Sequence, residues 1–275
     1  MIDRERVLKV LEGYDDGRLS VGVIGSHSAL DVCDGAVEEG LHTIAVCERG
    51  RDAPYSRYFR ARRDAAGNLS RGVVDEPLVF EKFSEVLTKK VQEYLRNRNT
   101  IFVPNRSLTS YCDLDAIEGE FLVPLLGSRN LLRTEERTET KSYYWLLDKA
   151  DVPFPERIED PAEIDALVIV KLPHKEKKLE RGFFTAASAK EYREKSAALI
   201  KQGVISKTDL AAARIERYII GPVFNFDFFY SPLEREGDRL ELLGIDWRFE
   251  TSLDGHVRLP ASQQLALNES QAIPG

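Results

Sequence analysis

Apolar positions recur along the 275 residues in two spacings, and the alternation between the two organises the chain. In residues 3–14, Val7, Leu8, Val10 and Leu11 fall at helical spacing and Gly13 offers a stop, which predicts an opening amphipathic helix. Residues 20–25 (SVGVIG) are short, apolar and β-branched and end on a glycine, the pattern of a buried strand running into a tight loop. Helical spacing returns over 28–39 through Leu30, Val32, Cys33 and Val37, Gly40 closes it, and residues 42–46 (HTIAV) read as a second strand. A helix is predicted over 81–95, with Phe83, Val86, Leu87, Val91 and Leu95 on one face, and a strand over 100–105 that Pro104 ends. Right-handed crossovers between such strands put the loops after residues 25 and 104 on one edge of a parallel sheet, the edge where ligands of open α/β sheets sit.

The pattern changes after the stretch 121–132, where the domain junction is placed, giving expected domains of 1–125 and 126–275. A helix is expected over 138–149 with Thr138 as its cap, then a strand over 167–172 that carries one charge, Lys171. An unpaired ammonium on a buried strand costs several kcal/mol, so Lys171 calls for an anion unless it snorkels from the strand end into water. A basic loop over 173–182 joins this strand to one over 183–186, as either a flap over a ligand or a plain polar hairpin. Helices over 189–202 and 207–213 follow, then strands over 214–221 and 223–230 and a third starting at 240. The fold class is α/β, parallel in the first domain and antiparallel, with a flap, in the second.

Three places carry candidate chemistry, two loops and one strand. Gly25, Ser26, His27 and Ser28 offer two hydroxyls, an imidazole and backbone N–H groups at a strand end, although Ser28 as a helix cap and His27 as a surface residue would explain them equally. Asn105, Arg106 and Ser107 occupy the matching strand end, where they are also ordinary turn formers. Lys171 is the third. No G-x-G-x-x-G follows the first strand, which argues against a dinucleotide-dependent dehydrogenase.

Composition narrows the classes. A formal net charge of −7 argues against a nucleic-acid partner. The absence of a signal-peptide pattern or an apolar run of about 18 residues points to the cytoplasm and to no membrane association. Three cysteines without paired spacing suggest buried, reduced thiols rather than a disulfide framework or zinc site.

The blocks GSHSAL (25–30), GRDAPY (50–55), YCDLD (111–115), FLVPLLGSRNLLR (121–133), VIVK (168–171), FFYSPL (228–233) and LLGIDWRFETSLDGHVRLPA (242–261) resemble, in order, those of the PurP family. These are formate-dependent ligases of the ATP-grasp superfamily that formylate AICAR, a purine precursor nucleotide, to FAICAR. The resemblance implies a pre-ATP-grasp parallel-sheet domain followed by an ATP-grasp domain with a flap subdomain at about 150–213 and the first part of a catalytic subdomain at 214–275. It implies formate attack on the γ-phosphate of ATP and capture of the resulting formyl phosphate by the 5-amino group of AICAR. By the same resemblance His27 and Ser107 contact the acceptor, and Lys141, Lys171, Glu216, Tyr218 and Glu250 contact ATP. Mg²⁺, or Mn²⁺ in its place, is implied as cofactor, with its acidic ligands expected beyond Gly275, and a homo-oligomer is implied as the assembly.

Departures from the family pattern leave an alternative, a paralogue that binds nucleotide but acts on another phosphorylated amine or is non-catalytic. Asn105-Arg106-Ser107 stands where His-Gly-Ser is usual, the 173–182 loop lacks the usual glycines, and Arg217 replaces an acidic residue.

Overall fold

The computed structural model describes residues 2–135, 139–172, 183–219 and 224–247. It divides into two compact units at Ser142/Tyr143, whereas the expected junction is at 125/126. The intervening piece belongs with the first unit because its arginines bond back into it. Arg129 donates to the carbonyls of Ile117 and Val123, and Arg133 pairs with Asp115 and Glu118.

In the first unit the elements run α1 (Arg4–Leu11), β1 (Ser20–Ile24), α2 (Ala29–Glu38), β2 (His42–Glu48), β3 (Arg62–Arg63), β4 (Leu69–Arg71), β5 (Glu76–Phe80), α3 (Lys89–Arg96), β6 (Thr100–Phe102), α4 (Arg106–Tyr111) and α5 (Leu114–Gly119). Strands β5, β2, β1 and β6 form one parallel sheet in that order. Successive side chains point to opposite faces and both faces are covered, so β1 and β2 read as nearly continuous apolar runs. Ile24, Ile44, Val46 and Phe102 pack with Phe83, Leu95, Leu108 and Phe121 on one side, and Val23, Ala45 and Cys47 pack with Ala29, Cys33 and Tyr55 on the other. All three cysteines are free and buried, and burial pushes each thiol up to about 12.

The expected helix over 81–95 is two elements. The Glu85 carboxylate accepts the N–H groups of Glu81 and Lys82 and tightens residues 83–87 into a 3₁₀ turn, whose i, i+3 spacing buries Phe83 and Val86. Thr88 is extended, and α3 starts after it. The edge strand β5 was not expected. It contains Pro77, which is tolerated because β2 is its sole neighbour in the sheet.

The second unit contains α6 (Tyr143–Lys149), β7 (Val168–Lys171), β8 (Phe183–Ala186), α7 (Ala189–Lys201), α8 (Lys207–Ala211), β9 (Arg214–Arg217), β10 (Phe224–Tyr230) and β11 (Leu240–Trp247). Strand β7 lies antiparallel between β8 and β9, over a core of Ile158, Ile164, Val168, Val170, Ala186, Tyr192 and Ile215. Strands β10 and β11 form a separate antiparallel ribbon, on which Phe226, Phe228, Leu243 and Ile245 are all more than half exposed. The expected helix start at Thr138 and the flap over 173–182 lie outside the described residues.

Candidate functional sites in the two units

The carboxyl ends of the first unit's parallel strands form a hydrogen-bonded ring of loops. After β1, Gly25 lies so close to β2 that a Cβ would stand 2.8 Å from Cys47 Sγ and 3.1 Å from the Val46 carbonyl. His27 then adopts φ 46°, a left-handed conformation uncommon for a residue with a side chain. Ser28 is the N-cap residue of α2 but makes no side-chain capping bond, so a capping role does not account for its hydroxyl. After β6, buried Asn105 does three things. Its amide donates to the carbonyls of Ile24 (2.9 Å) and Ser26 (3.0 Å), and its Oδ1 accepts from Leu108 N–H at the start of α4. The two strand ends named from the sequence are therefore bonded to each other.

Ser107 is 4% exposed, and its hydroxyl has no hydrogen-bond partner among the described residues. A buried hydroxyl without a protein partner is a group that a ligand or an ordered water satisfies. After β2, a turn closed by Arg51 N–H to the Glu48 carbonyl, with Gly50 at φ 85°, brings Arg51 to the same edge. Arg51 donates to Ser26 Oγ at 3.2 Å and to Tyr111 Oη at 3.1 Å. Sequence reasoning quoted Arg51 only as part of a block and assigned it nothing. Its neighbour Asp52 supplied no signal either, because that carboxylate is taken by Ser56 Oγ.

Asn105→Ala would leave two carbonyls without their side-chain donor and remove the α4 cap. The expected loss is about 1–2 kcal/mol in urea unfolding, with Asn105→Asp recovering the cap but not the donors.

The second unit holds a charged cluster. Glu216 on β9 is fully buried. Lys171 Nζ donates to its Oε2 at 2.5 Å and to Tyr144 Oη at 3.0 Å, and Arg214 Nε is bonded to Oε1. The Arg214 guanidinium also lies over the Tyr144 ring, 3.7 Å from its centroid. Register explains the grouping: Lys171 and Arg214 are cross-strand partners on β7 and β9, and Glu216 follows Arg214 by two on the same face. Burial acts to raise the Glu216 carboxyl, but the bonds from Lys171, Tyr144 and Arg214 prevail and hold it below its ordinary range. Lys171 thus finds its anion within the protein. Two cations share one carboxylate, so the cluster keeps an excess positive charge beside a partly exposed lysine.

Of the other ATP-side residues named from the sequence, Tyr218 follows β9, half-buried, with its N–H on the Leu167 carbonyl. Lys141 is exposed in the turn before α6 rather than inside a helix. Glu250 lies outside the described residues. Arg217 pairs with Glu156 and Asp165, which accounts locally for a cation at that position.

The chain matches a family model described as a protein of unknown function (DUF1246) over residues 21–158 and a domain of unknown function (DUF1297) over 191–273. It is 42% identical to the 5-formaminoimidazole-4-carboxamide-1-(beta)-D-ribofuranosyl 5'-monophosphate synthetase of Methanopyrus kandleri, over 100% of this chain and 72% of that relative. The chain belongs to the PurP family of synthetases. The synthetase of the same name from Methanothermobacter thermautotrophicus is 39% identical over 97% of this chain and 68% of its own length. Among solved structures, the IMP biosynthesis protein PurP of Thermococcus kodakaraensis superposes with a TM-score of 0.55 at 26% identity, covering 83% of this chain and 59% of that one. An ADP complex of N5-carboxyaminoimidazole ribonucleotide synthetase, at TM-score 0.57 and 13% identity, shares the fold. The mixed α/β, ATP-grasp class expected from the sequence is thus the class of the PurP fold.

Proposed function

We propose that this chain is the ATP- and formate-dependent ligase that formylates the 5-amino group of AICAR to give FAICAR. The observation that carries the reading is 42% identity to a synthetase of the formamido nucleotide along the whole of this chain. Formate oxygen attacks the γ-phosphorus of ATP, and ADP leaves. The 5-amino nitrogen then attacks the carbon of formyl phosphate, an N–C bond forms, phosphate departs and the nitrogen loses a proton. A mixed anhydride hydrolyses readily, so the acceptor must already be in place when it forms, and water must be kept out.

The roles divide by unit. His27 and Ser107 bind the acceptor at the strand ends of the first unit, where the unpartnered Ser107 hydroxyl supports a ligand contact. Lys171 meets ATP phosphate. An ammonium has three N–H donors, and with Tyr144 and Glu216 holding two, one remains for a phosphate oxygen. Glu216 sets the position of Lys171, and Lys141, Tyr218 and Glu250 complete the nucleotide side. Mg²⁺, or Mn²⁺, would neutralise phosphate charge. Among the described residues no group of three or more His, Cys, Asp or Glu could hold a metal ion, so none of them is assigned to it. A homo-oligomer in the cytoplasm completes the reading, and no helix among the described residues is long and apolar enough to cross a membrane.

Incubated with ATP, Mg²⁺, formate and AICAR, the purified chain is expected to release ADP and phosphate in step with FAICAR, and to release neither when AICAR or formate is omitted. Equal release when another phosphorylated amine replaces AICAR would overturn the acceptor assignment.

A further inference from the structure

We propose that Arg51 is the residue that makes the acceptor site select a phosphate monoester, by holding the 5'-phosphate of the acceptor nucleotide. The inference rests on the function proposed above only for the rest of the acceptor; the phosphate anchor is read from the geometry of Arg51.

Three observations carry it. The first is charge. No carboxylate lies within ion-pair distance of Arg51 among the described residues, since both of its hydrogen bonds go to neutral hydroxyls, Ser26 Oγ and Tyr111 Oη. Arg49, two residues earlier, pairs with Glu81, and Arg63 pairs with Asp75. An arginine held by neutral hydroxyls, with no direct ion pair of its own, is suited to an anionic ligand, and its planar fork matches phosphate oxygens.

The second is preorganisation. Arg51 is the closing link of a ring of bonds. Asn105 at the N-cap of α4 holds the Ser26 carbonyl, Tyr111 at the last turn of α4 accepts from Arg51, and Arg51 returns to the Ser26 hydroxyl. Its guanidinium carbon also lies 5.2 Å from the centroid of the buried Phe83 ring and 5.4 Å from that of Tyr111. Such contacts fix a long side chain before a ligand arrives, which reduces the ordering cost of binding. A guanidinium has five N–H donors, and two are used here.

The third is place. The turn that ends β2 brings Arg51 to the carboxyl edge of the parallel sheet, within one hydrogen bond of the loop that carries His27. A phosphate held there would share the edge with His27 and the unpartnered Ser107 hydroxyl.

The test uses the full chain and calorimetric titration with three probes: AICAR, its 5'-dephosphorylated nucleoside, and ribose 5-phosphate. Arg51→Gln is expected to weaken AICAR and ribose 5-phosphate by about 10- to 100-fold, the range of a charge-assisted contact, and to leave the nucleoside unchanged. Arg51→Lys, which keeps the charge without the fork, is expected to recover part of the loss. Thermal unfolding of both variants should match the parent, because the side chain is exposed. Equal weakening of nucleotide and nucleoside, or no weakening of either phosphorylated probe, would overturn the proposal. So would failure of the parent chain to bind any phosphorylated probe. If the parent binds ribose 5-phosphate through Arg51 but not AICAR, the anchor stands and the AICAR reading falls.

Discussion

Glu216→Ala is expected to destabilise the second unit by about 3–5 kcal/mol, the largest stability change of any single substitution discussed. The carboxylate is fully buried and is the counter-ion of both Lys171 and Arg214, so its removal leaves two neighbouring cations with no anion between them. Lys171→Ala is the milder lesion, because Arg214 and Tyr144 remain around Glu216. The chain's two tryptophans, Trp145 and Trp247, both belong to the second unit, so urea unfolding followed by tryptophan fluorescence reads the right transition. The same carboxyl sets an acid limit. Its folded pKa is depressed below the ordinary 4.5, so its stabilisation is complete above that value and is lost as pH falls through the folded one. The fluorescence transition of the parent should therefore weaken below pH 4.5, and Glu216→Gln should flatten that dependence. A Glu216→Ala chain as stable as its parent would show that the two cations are solvated without the carboxylate.

The order of elements was legible wherever burial writes a period into the chain. Strands β1 and β2 are covered on both faces and appear as β-branched runs, and Leu30, Val32 and Cys33 fall at helical spacing because α2 buries one face. What escaped was set by side chains that bond to backbone. Glu85, by capping Glu81 and Lys82, splits one apparent helix into a 3₁₀ turn and α3. Periodicity cannot show this, since Phe83, Val86 and Val91 stay apolar under either geometry. Strand β5 hid behind Pro77, which only an edge position allows.

The sites divide in the same way. A lone lysine in an apolar strand announces its need for an anion, and Lys171 was found by that rule. Its partner could not be named from spacing, because Glu216 is 45 residues distant and meets Lys171 only through the β7–β9 register. Arg214 and Tyr144 were invisible for the same reason. Asn105 reads as a turn former in sequence, yet in three dimensions it ties the β1 and β6 ends together. Arg51 carried no signal beyond its place in a family block, being one arginine among several in a polar stretch, and it becomes distinctive only through its bonds to Ser26 and Tyr111.

Lys171→Ala is expected to weaken ATP by about 10- to 100-fold while leaving AICAR affinity within twofold, and His27→Ala is expected to do the reverse. The argument starts from burial. Lys171 lies on a strand of the second unit with its ammonium partly exposed, two of its donors fixed by Tyr144 and Glu216, and a net positive charge around it. A third donor in that setting acts on a phosphate oxygen as a point charge, and its loss removes a charge-assisted bond rather than a shape contact. Lys171→Met keeps the apolar stem against β7 and its neighbours, so it separates the charge from the packing: an ATP affinity as low as that of Lys171→Ala assigns the effect to the ammonium. His27 belongs to the first unit, in a left-handed turn at the strand edge, whereas Lys171 belongs to the second. Its imidazole is therefore expected to serve the ligand of that edge. Titrating ATP and AICAR separately into all three variants decides the matter, and an equal loss of ATP binding in His27→Ala and Lys171→Ala would show that one ligand, not two, spans both groups of residues.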